Sequence, residues 1–446
     1  MKVAIVGFGV EGQSSYRYWS KQHADITICD QNESVEVPAD AAAQLGSGYL
    51  DNLKRFDVVM RTAGMHPKFI LEKNPGIEDT ITTAVDEFLR VCPAPVIGVT
   101  GTKGKGTTST LIHKILQAAG KTSHLGGNIG NSPLDFLSEV RKDDYVVLEL
   151  SSFQLQDVRH SPHVAVCLML VPEHLNWHAD FDDYKAAKAN IFRYQDIDDI
   201  AVYNALNRSS RDVAAVSPAS TVITYGVPGA GKQLVRKDVS AYVRRGTVFF
   251  EDTEICKVGE VGLIGRHNLE NVCAAIAATW GLIGGNAAAI KRVVTGFSGL
   301  EHRLEFVRYL DAVRYFNDSF STTPETAVAA INAFEEPKIL IVGGSDKGIT
   351  FDTLAETIAS HNIRHVLAIG LMGKTIAGLL RHQGFEAVTT SGLDTMNDIV
   401  KTAHRLAKPG DVVLLSPACA SFDMFKDYKD RGDQFKAAVR AIKPRR

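Results

Sequence analysis

A lysine set inside a glycine-rich turn is the most reactive-looking feature of this chain. The stretch Gly98-Val99-Thr100-Gly101-Thr102-Lys103-Gly104-Lys105-Gly106-Thr107-Thr108 follows Pro95-Val96-Ile97, an apolar run that reads as a short buried strand. A helical pattern comes next, with Leu111, Ile112, Ile115, Leu116 and Ala119 on one face and Gly120 as its stop. In a strand–loop–helix junction of this kind, glycines let backbone N–H groups close around phosphate oxygens. The helix N-terminus adds partial positive charge and Lys105 adds a full one. Gly101, Thr102, Lys103, Gly104, Lys105, Gly106, Thr107 and Thr108 are therefore the candidate polyphosphate site. The match to the strict loop pattern is incomplete: Val99 stands where its first glycine belongs, and Gly106 replaces the hydroxyl residue after the lysine. Thr107 is then the next candidate to offer a hydroxyl to Mg²⁺. A ligand-free turn would need the glycines but not the Gly-Lys followed by threonines.

Other residues could complete such a site. Glu149 lies inside the strand-like run Asp144 to Leu150, where a lone carboxylate is costly unless it is paired or holds a metal. A strand after a phosphate loop commonly carries the Mg²⁺ carboxylate at such a place, and an ion pair with a lysine is the alternative. His174 and His178 are four apart, which on a helix would put them on one face. The order is not H-E-x-x-H and no third Cys or His lies near at ligand spacing, so zinc is disfavoured. Tyr184 to Phe192 reads as a helix, and periodicity alone makes its lysines solvated. Asn268 and Asn271 stand near the start of an alanine-rich helix, where capping and contact with a purine base are both open readings.

The first segment carries a second glycine loop. Val3 to Val6, then Gly7-Phe8-Gly9-Val10-Glu11-Gly12, then a helix to about Lys21 and a strand Ile26 to Cys29 ending at Asp30 form a dinucleotide-type βαβ layout. A dehydrogenase reads the same way, but the segment to about residue 93 is short for a complete two-half dinucleotide domain. A third strand, Asp57 to Met60, ends at Arg61-Thr62-Ala63-Gly64.

Positioning these residues takes more than one domain. The chain has 446 residues, against about 100–200 per domain. A hydrophobic share of 45% and a charged share of 22% are ordinary for a soluble protein, and the net charge of -2 offers no basic field for nucleic acid. The six cysteines form no C-x-x-C pair and mostly sit in apolar runs, as reduced thiols of a cytoplasmic protein do. No apolar run approaches the roughly 20 residues that span a bilayer, so no membrane partner is expected. Residues 206 to 262 suggest a small antiparallel excursion. The last segment alternates strands and helices, with strands at Arg314–Phe316, Ile339–Val342, Val366–Ile369 and Val412–Leu415. Each ends in a polar or glycine-rich turn, the rim where α/β sheets bind ligands.

Taken together, these motifs resemble the Mur ligase family. The resemblance rests on the Lys105 loop, Gly127-Asn128-Ile129-Gly130, Glu149-Leu150-Ser151-Ser152-Phe153-Gln154, His174 with Ala186-Ala187-Lys188, and His267-Asn268 with Asn271. It continues through His302-Arg303 and Asn317-Asp318-Ser319. Gly343-Gly344-Ser345-Asp346-Lys347-Gly348 and Ser416 to Phe425 look like the glutamate-adding members.

The resemblance implies an α/β fold of three domains. These are a Rossmann-like UDP-binding domain over 1–93, a P-loop ATPase-like central domain over 94–298, and a Rossmann-like amino-acid-binding domain over 299–446. It implies an ATP-dependent amide ligase that adds D-glutamate to UDP-N-acetylmuramoyl-L-alanine through an acyl phosphate, in a cytoplasmic monomer. The same ligation with L-glutamate, or another ligation of the superfamily, is the alternative. By resemblance, Gly9, Val10, Asp30, Gln31 and Gly64 face uracil and diphosphate, and Asn128, Ser151 and Gln154 face the rest of that substrate. Asn268, Asn271, Arg303 and Asp318 hold the nucleotide beside the Lys105 loop. Lys347, Ser421 and Tyr428 hold glutamate. Two Mg²⁺ ions are expected on Thr107, Glu149, His174 and a carbamylated Lys188. Phe320 departs from the pattern, since a lysine often follows Asn-Asp-Ser in the glutamate-adding members.

Overall fold

Residues 1–128, 131–228, 239–263, 265–346 and 350–445 are described by a computed structural model. It divides into two compact units, Met1–Phe297 and Ser298–Arg446. The first contains two sheets and the second contains one.

The amino-terminal sheet has five parallel strands. Lys2–Val6 lies at its middle, between Asp25–Asp30 and Val58–Arg61, with Ala42–Leu45 and Ile81–Thr82 outside them. Both sides of the central strand are apolar and buried, as a parallel sheet covered on two faces requires. The strand order reverses at Lys2–Val6, so its carboxyl end opens a crevice between Gly7–Gly9 and the turn after Arg61.

The helix Ala84–Val91 follows and shares a core with the next sheet: Ala84, Val85 and Phe88 are fully buried among Phe136, Val146 and Leu148. That sheet has nine strands. Ser123–Gly127, Tyr145–Glu149, Val96–Thr100, Val164–Cys167, Ile200–Asn204 and Thr221–Gly226 are parallel neighbours in that order. Ala241–Arg244, Thr247–Phe250 and Thr253–Lys257 extend it with antiparallel pairs. These last three are the excursion expected between residues 206 and 262. Helices Lys105–Ala118 and Arg266–Thr279 pack against each other on one face.

The carboxy-terminal sheet places Val313–Asn317, Val412–Leu415, Lys338–Gly343, Ile363–Ile369 and Val388–Thr389 in parallel. Glu305–Leu310 closes its edge as an antiparallel hairpin with Val313–Asn317. The hairpin turn, Asp311-Ala312, puts both residues at positive φ, 52° and 58°.

Candidate functional site

The strand Val96–Thr100 delivers the chain into the glycine loop, and the helix Lys105–Ala118 leaves it. Gly104 adopts φ 88° as the helix N-cap, and a Cβ there would stand 2.2 Å from Asn271 Oδ1. Only glycine fits that backbone against that neighbour. Lys105 Nζ donates to Gly101 O and Thr102 O, both at 3.1 Å, so its ammonium is folded back over the loop. Thr107 is partly exposed in the first helical turn. Thr108 is fully buried, its Oγ1 3.4 Å from Asn271 Oδ1. Thr102 Oγ1 lies 3.0 Å from the Tyr184 hydroxyl and accepts from Val171 N at 3.0 Å, which ties the loop to the segment before His174. Lys103 pairs with Glu173 at the loop's outer side.

Asn271 and Asn268 do not cap their helix. Asn271 Nδ2 donates to Asn268 Oδ1 at 3.0 Å, and Asn271 Oδ1 faces the phosphate loop rather than the helix terminus. Glu149 ends the strand Tyr145–Glu149 and is 6% exposed. Among the described residues its carboxylate is bonded to an amide, Asn128 Nδ2 at 2.9 Å, and not to a lysine. That amide is a neutral partner, so the carboxylate is not paired with a cation among the described residues.

Lys188 overturns the periodicity reading of its helix. In Phe181–Arg193, Tyr184, Ile191 and Phe192 lie at i−4, i+3 and i+4 from it, all on the buried face. The side chain is 1% exposed. Nζ donates to Thr100 Oγ1 at 3.0 Å and Gly101 O at 3.1 Å, and sits 4.8 Å from the Tyr184 ring centre. Burial, helped by the nearby Lys105 charge, pushes its amine well below the ordinary lysine range. Lys185 behaves as periodicity expects, pairing with Asp182 at 2.7 Å.

His174 is not on a helix and its φ is 58°. Its ring is exposed, 3.7 Å from Glu173 Oε2, and lies against Phe153 with ring centres 4.9 Å apart. Partial burial lowers its pKa, and the Lys105 and Lys188 charges act the same way. His178 is buried against Ser152 Oγ at 2.9 Å and Asp183 at 3.2 Å, so the two histidines do not form a ligand pair.

At the amino-terminal crevice the glycines divide by purpose. A Cβ on Gly12 would stand 2.0 Å from Gly7 O, a packing demand of the fold. A Cβ on Gly9 or Gly64 would meet open space, and neither has a positive φ, so local structure does not require either to be glycine. Both leave the backbone open to close approach from the crevice. Asp30 accepts from Phe8 N at 2.7 Å and Asn32 N at 2.8 Å, which locks the loop to the second strand, and Val10 and Gln31 are exposed at the rim. Ser151 and Gln154 form a capping box on the short helix Ser152–Leu155.

In the second unit, Asp318 is buried with Ser416 Oγ donating to Oδ2 at 2.8 Å and Leu304 N to Oδ1 at 3.1 Å. Burial pushes its carboxyl up to about 6. Arg303 is exposed, its guanidinium 6.0 Å from the Phe320 ring centre. Phe320 is 46% exposed and its ring lies 5.3 Å from that of Tyr428. Ser421 is buried, and Lys347 falls outside the described residues. The acidic side chains Glu301, Asp433 and Glu305 beside His302 share one cation, the Lys436 ammonium.

Sequence reading missed Arg431. It is fully buried, and among the described residues no carboxylate is bonded to it; its guanidinium donates to Ser319 Oγ and O at 2.9 Å and to the carbonyls of Cys419 and Ala420. Burial lowers its pKa to about 10. It stitches the Asn317–Ser319 turn to the Ser416–Ser421 turn. Nothing in Tyr428-Lys429-Asp430-Arg431 marks it, except that Arg431 is spaced four before Phe435 on the helix Tyr428–Ala441.

Known proteins resemble this chain along nearly its whole length. Residues 99–279 match the Mur ligase middle domain, and residues 302–419 match the Mur ligase glutamate ligase domain. The chain is 38% identical to a UDP-N-acetylmuramoylalanine–D-glutamate ligase of Acetivibrio thermocellus, over 99% of this chain and 96% of that protein. It is 40% identical to the enzyme of the same name in Symbiobacterium thermophilum, over 99% and 98%. Among solved structures, it is similar in fold to a UDP-N-acetylmuramate–alanine ligase of Thermotoga maritima (TM-score 0.56, 16% identity, 99% and 100% covered). A MurF ligase of the same organism in complex with ADP is similar too (TM-score 0.54, 18% identity, 98% and 94% covered).

Proposed function

The chain belongs to the Mur ligase family, and we propose that it joins D-glutamate to the alanyl carboxylate of UDP-N-acetylmuramoyl-L-alanine, converting ATP to ADP and phosphate. Near-full-length identity to two ligases of that name supports the reaction. The observation that carries the site assignment is the grouping of Lys105, Glu149 and buried Lys188 around one glycine loop.

A carboxylate acylates an amine only after activation. The alanyl carboxylate oxygen attacks the γ-phosphorus of ATP, the bond to the β-phosphate oxygen breaks, and ADP leaves. The glutamate nitrogen then attacks the acyl phosphate carbonyl, phosphate departs with the bonding pair, and the amine gives up a proton. The first step brings two anions together, so fixed positive charge lowers its barrier. Lys105 supplies one such charge to the phosphates. Thr107, Glu149, His174 and a carbamylated Lys188 would hold Mg²⁺ at two sites, which adds positive charge to the same oxygens. A buried carboxylate bonded to an amide fits that task. Burial favours the neutral amine of Lys188, and the neutral amine is the form that adds CO₂ at nitrogen and loses a proton to become a carbamate.

Asn268, Asn271, Arg303 and Asp318 are assigned to ATP, and Gly9, Val10, Asp30, Gln31 and Gly64 to the uridine diphosphate. Asn128, Ser151 and Gln154 are assigned to the remainder of that substrate, and Ser421, Tyr428 and Lys347 to glutamate.

L-glutamate is the second reading, favoured by one observation. Phe320, where a lysine is expected, presents an exposed ring beside Tyr428 in place of a cation. Phosphate release from ATP, Mg²⁺ and UDP-N-acetylmuramoyl-L-alanine with each glutamate enantiomer tests both. Release with D-glutamate alone supports the first reading, and release with L-glutamate alone replaces it with the second. Release indifferent to the UDP-sugar and to glutamate overturns the ligase assignment.

A further inference from the structure

One arginine links the crevice turn of the amino-terminal sheet to the Phe153–Asp157 segment, whose Phe153 ring lies against His174. Arg61 ends the strand Val58–Arg61 and is 1% exposed. Its Nη1 gathers the carbonyls of Thr62 (3.3 Å), Ala63 (3.4 Å) and Met65 (2.9 Å), which shapes the turn that carries Gly64. On the other side, Nε donates to Asp157 Oδ2 at 2.8 Å, and Nη2 donates to Asp157 Oδ1 and to Phe153 O at 3.0 Å. Glu11 Oε2 accepts from Ala63 N at 2.7 Å and faces the same guanidinium.

A second link runs alongside. The Trp177 ring lies 4.3 Å from His66 and 4.5 Å from Phe153, centre to centre, with its indole nitrogen 3.5 Å from Gly64 O. Phe153 in turn contacts His174. The Gly64 turn and the His174 ring are thus joined through two rings, Trp177 and Phe153, and Arg61 fixes the backbone at the turn and at Phe153.

A buried arginine–carboxylate fork is a poor source of stability, because desolvating both charges offsets most of their attraction. What it supplies is one fixed geometry, since the planar guanidinium accepts few arrangements of its partners. We propose that Arg61 is a positioning residue for the sugar nucleotide: it holds the Thr62–Met65 turn in register with Phe153–Asp157, so that the diphosphate site and the His174 segment are set by the same clamp. The proposal rests on the sugar-nucleotide reading given above.

The test uses the full chain and the variants Asp157→Asn and Arg61→Lys, each checked for a cooperative melt. Asp157→Asn should raise KM for UDP-N-acetylmuramoyl-L-alanine about tenfold, with KM for ATP and kcat within about twofold. Arg61→Lys keeps the charge but loses the fork, and should act alike. The double variant should be no worse than either single one, because the pair acts as a unit. Trp177→Phe, which keeps an aromatic ring but removes the N–H, should raise that KM by about threefold in kinetics and the dissociation constant by a similar factor in calorimetry. A fall in kcat with unchanged KM values, an equal rise in both KM values, or additive single effects would mean a merely structural ion pair and overturn the clamp. If Arg61→Lys does not fold, Asp157→Asn decides the matter alone. Failure of the unaltered protein to bind UDP-N-acetylmuramoyl-L-alanine in calorimetry overturns the sugar-nucleotide reading together with the clamp, whereas normal binding that neither substitution changes overturns the clamp only.

Discussion

Two glycine loops in this chain leave the carboxyl end of a parallel strand and enter a helix, yet the charges around them differ. The loop at Gly101–Gly106 carries Lys103 and Lys105, and a third amine, Lys188, lies beneath it. The loop at Gly7–Gly12 carries no cation. It has Glu11 in the first helical turn and is pinned to the neighbouring strand by the Asp30 carboxylate. Both offer backbone N–H groups and a helix N-terminus. Glycine spacing therefore sets only the shape of an anion cradle. Under the proposed assignment, the charges around it separate a cradle for a phosphoryl group that reacts from one for a diphosphate that does not.

The sharpest way to break that contrast is to remove the reactive loop's cation. Lys105→Ala should lower kcat by about 10³-fold with the protein still folded, as expected for a charge that acts mainly on the transition state. A loss under tenfold would place it with the passive loop. Lys188→Ala should lower turnover by about 10²-fold and recover part of it when acetate or another short carboxylate is added, read by phosphate release. Full activity without additive would remove the carbamate role.

The glycines give a third contrast. Gly104→Ala should cost about 2 kcal/mol in chemical denaturation, because its φ is left-handed and Asn271 stands against it. Gly9→Ala should stay within about 0.5 kcal/mol and instead raise KM for the UDP-sugar, since its surroundings are open.

A smaller effect separates two neighbouring hydroxyls. Thr107→Val should raise the Mg²⁺ concentration needed for half-maximal rate by about tenfold, whereas Thr108→Val should mainly cost about 1 kcal/mol of stability through its lost contact with Asn271.

The smallest effect is on pH. Burial raises the Glu11 carboxyl above the ordinary glutamate value, against the opposing pull of Ala63 N–H and Arg61. Falling pH neutralises it and removes a charge that repels the diphosphate, so UDP-sugar affinity should rise by about threefold through that titration. Glu11→Gln should show the tighter binding at all pH values, and isothermal titration at several pH values checks it.

The two loops are legible in the sequence because strand, glycine spacing and helix are all local patterns. Four strands of the last sheet are legible for the same reason: Val412–Leu415 falls where its apolar run lies, while Ile363–Ile369 begins three residues before its run, and the edge strands Glu305–Leu310 and Val388–Thr389 have no comparable apolar run. What is not legible depends on which face of an element turns inward. Lys188 reads as solvated beside Lys185, yet only Lys188 shares the face of Tyr184, Ile191 and Phe192. That spacing is present in the sequence, but a helical lysine is normally exposed, and the ordinary preference of the residue type outweighs it. Arg61 and Arg431 are hidden for a different reason. Arg431 is satisfied by carbonyls and a hydroxyl from two distant turns, and Arg61 by the carbonyls of its own turn together with Phe153 O and the Asp157 carboxylate far along the chain; no local pattern encodes such partners. Ser151 and Gln154, read as substrate contacts, also form a capping box, and a capping box has a sequence signature of its own.

The hairpin that leads into the Asn317–Ser319 turn offers something separate from chemistry. Its two-residue turn, Asp311-Ala312, sits in the mirror-image conformation that asparagine–glycine pairs favour, and alanine takes it under strain. Ala312→Gly would relieve about 1 kcal/mol of that strain, at a position on the edge of its sheet. The carboxy-terminal unit thus carries a built-in site for thermostabilisation that an engineer could use without touching a substrate-binding residue.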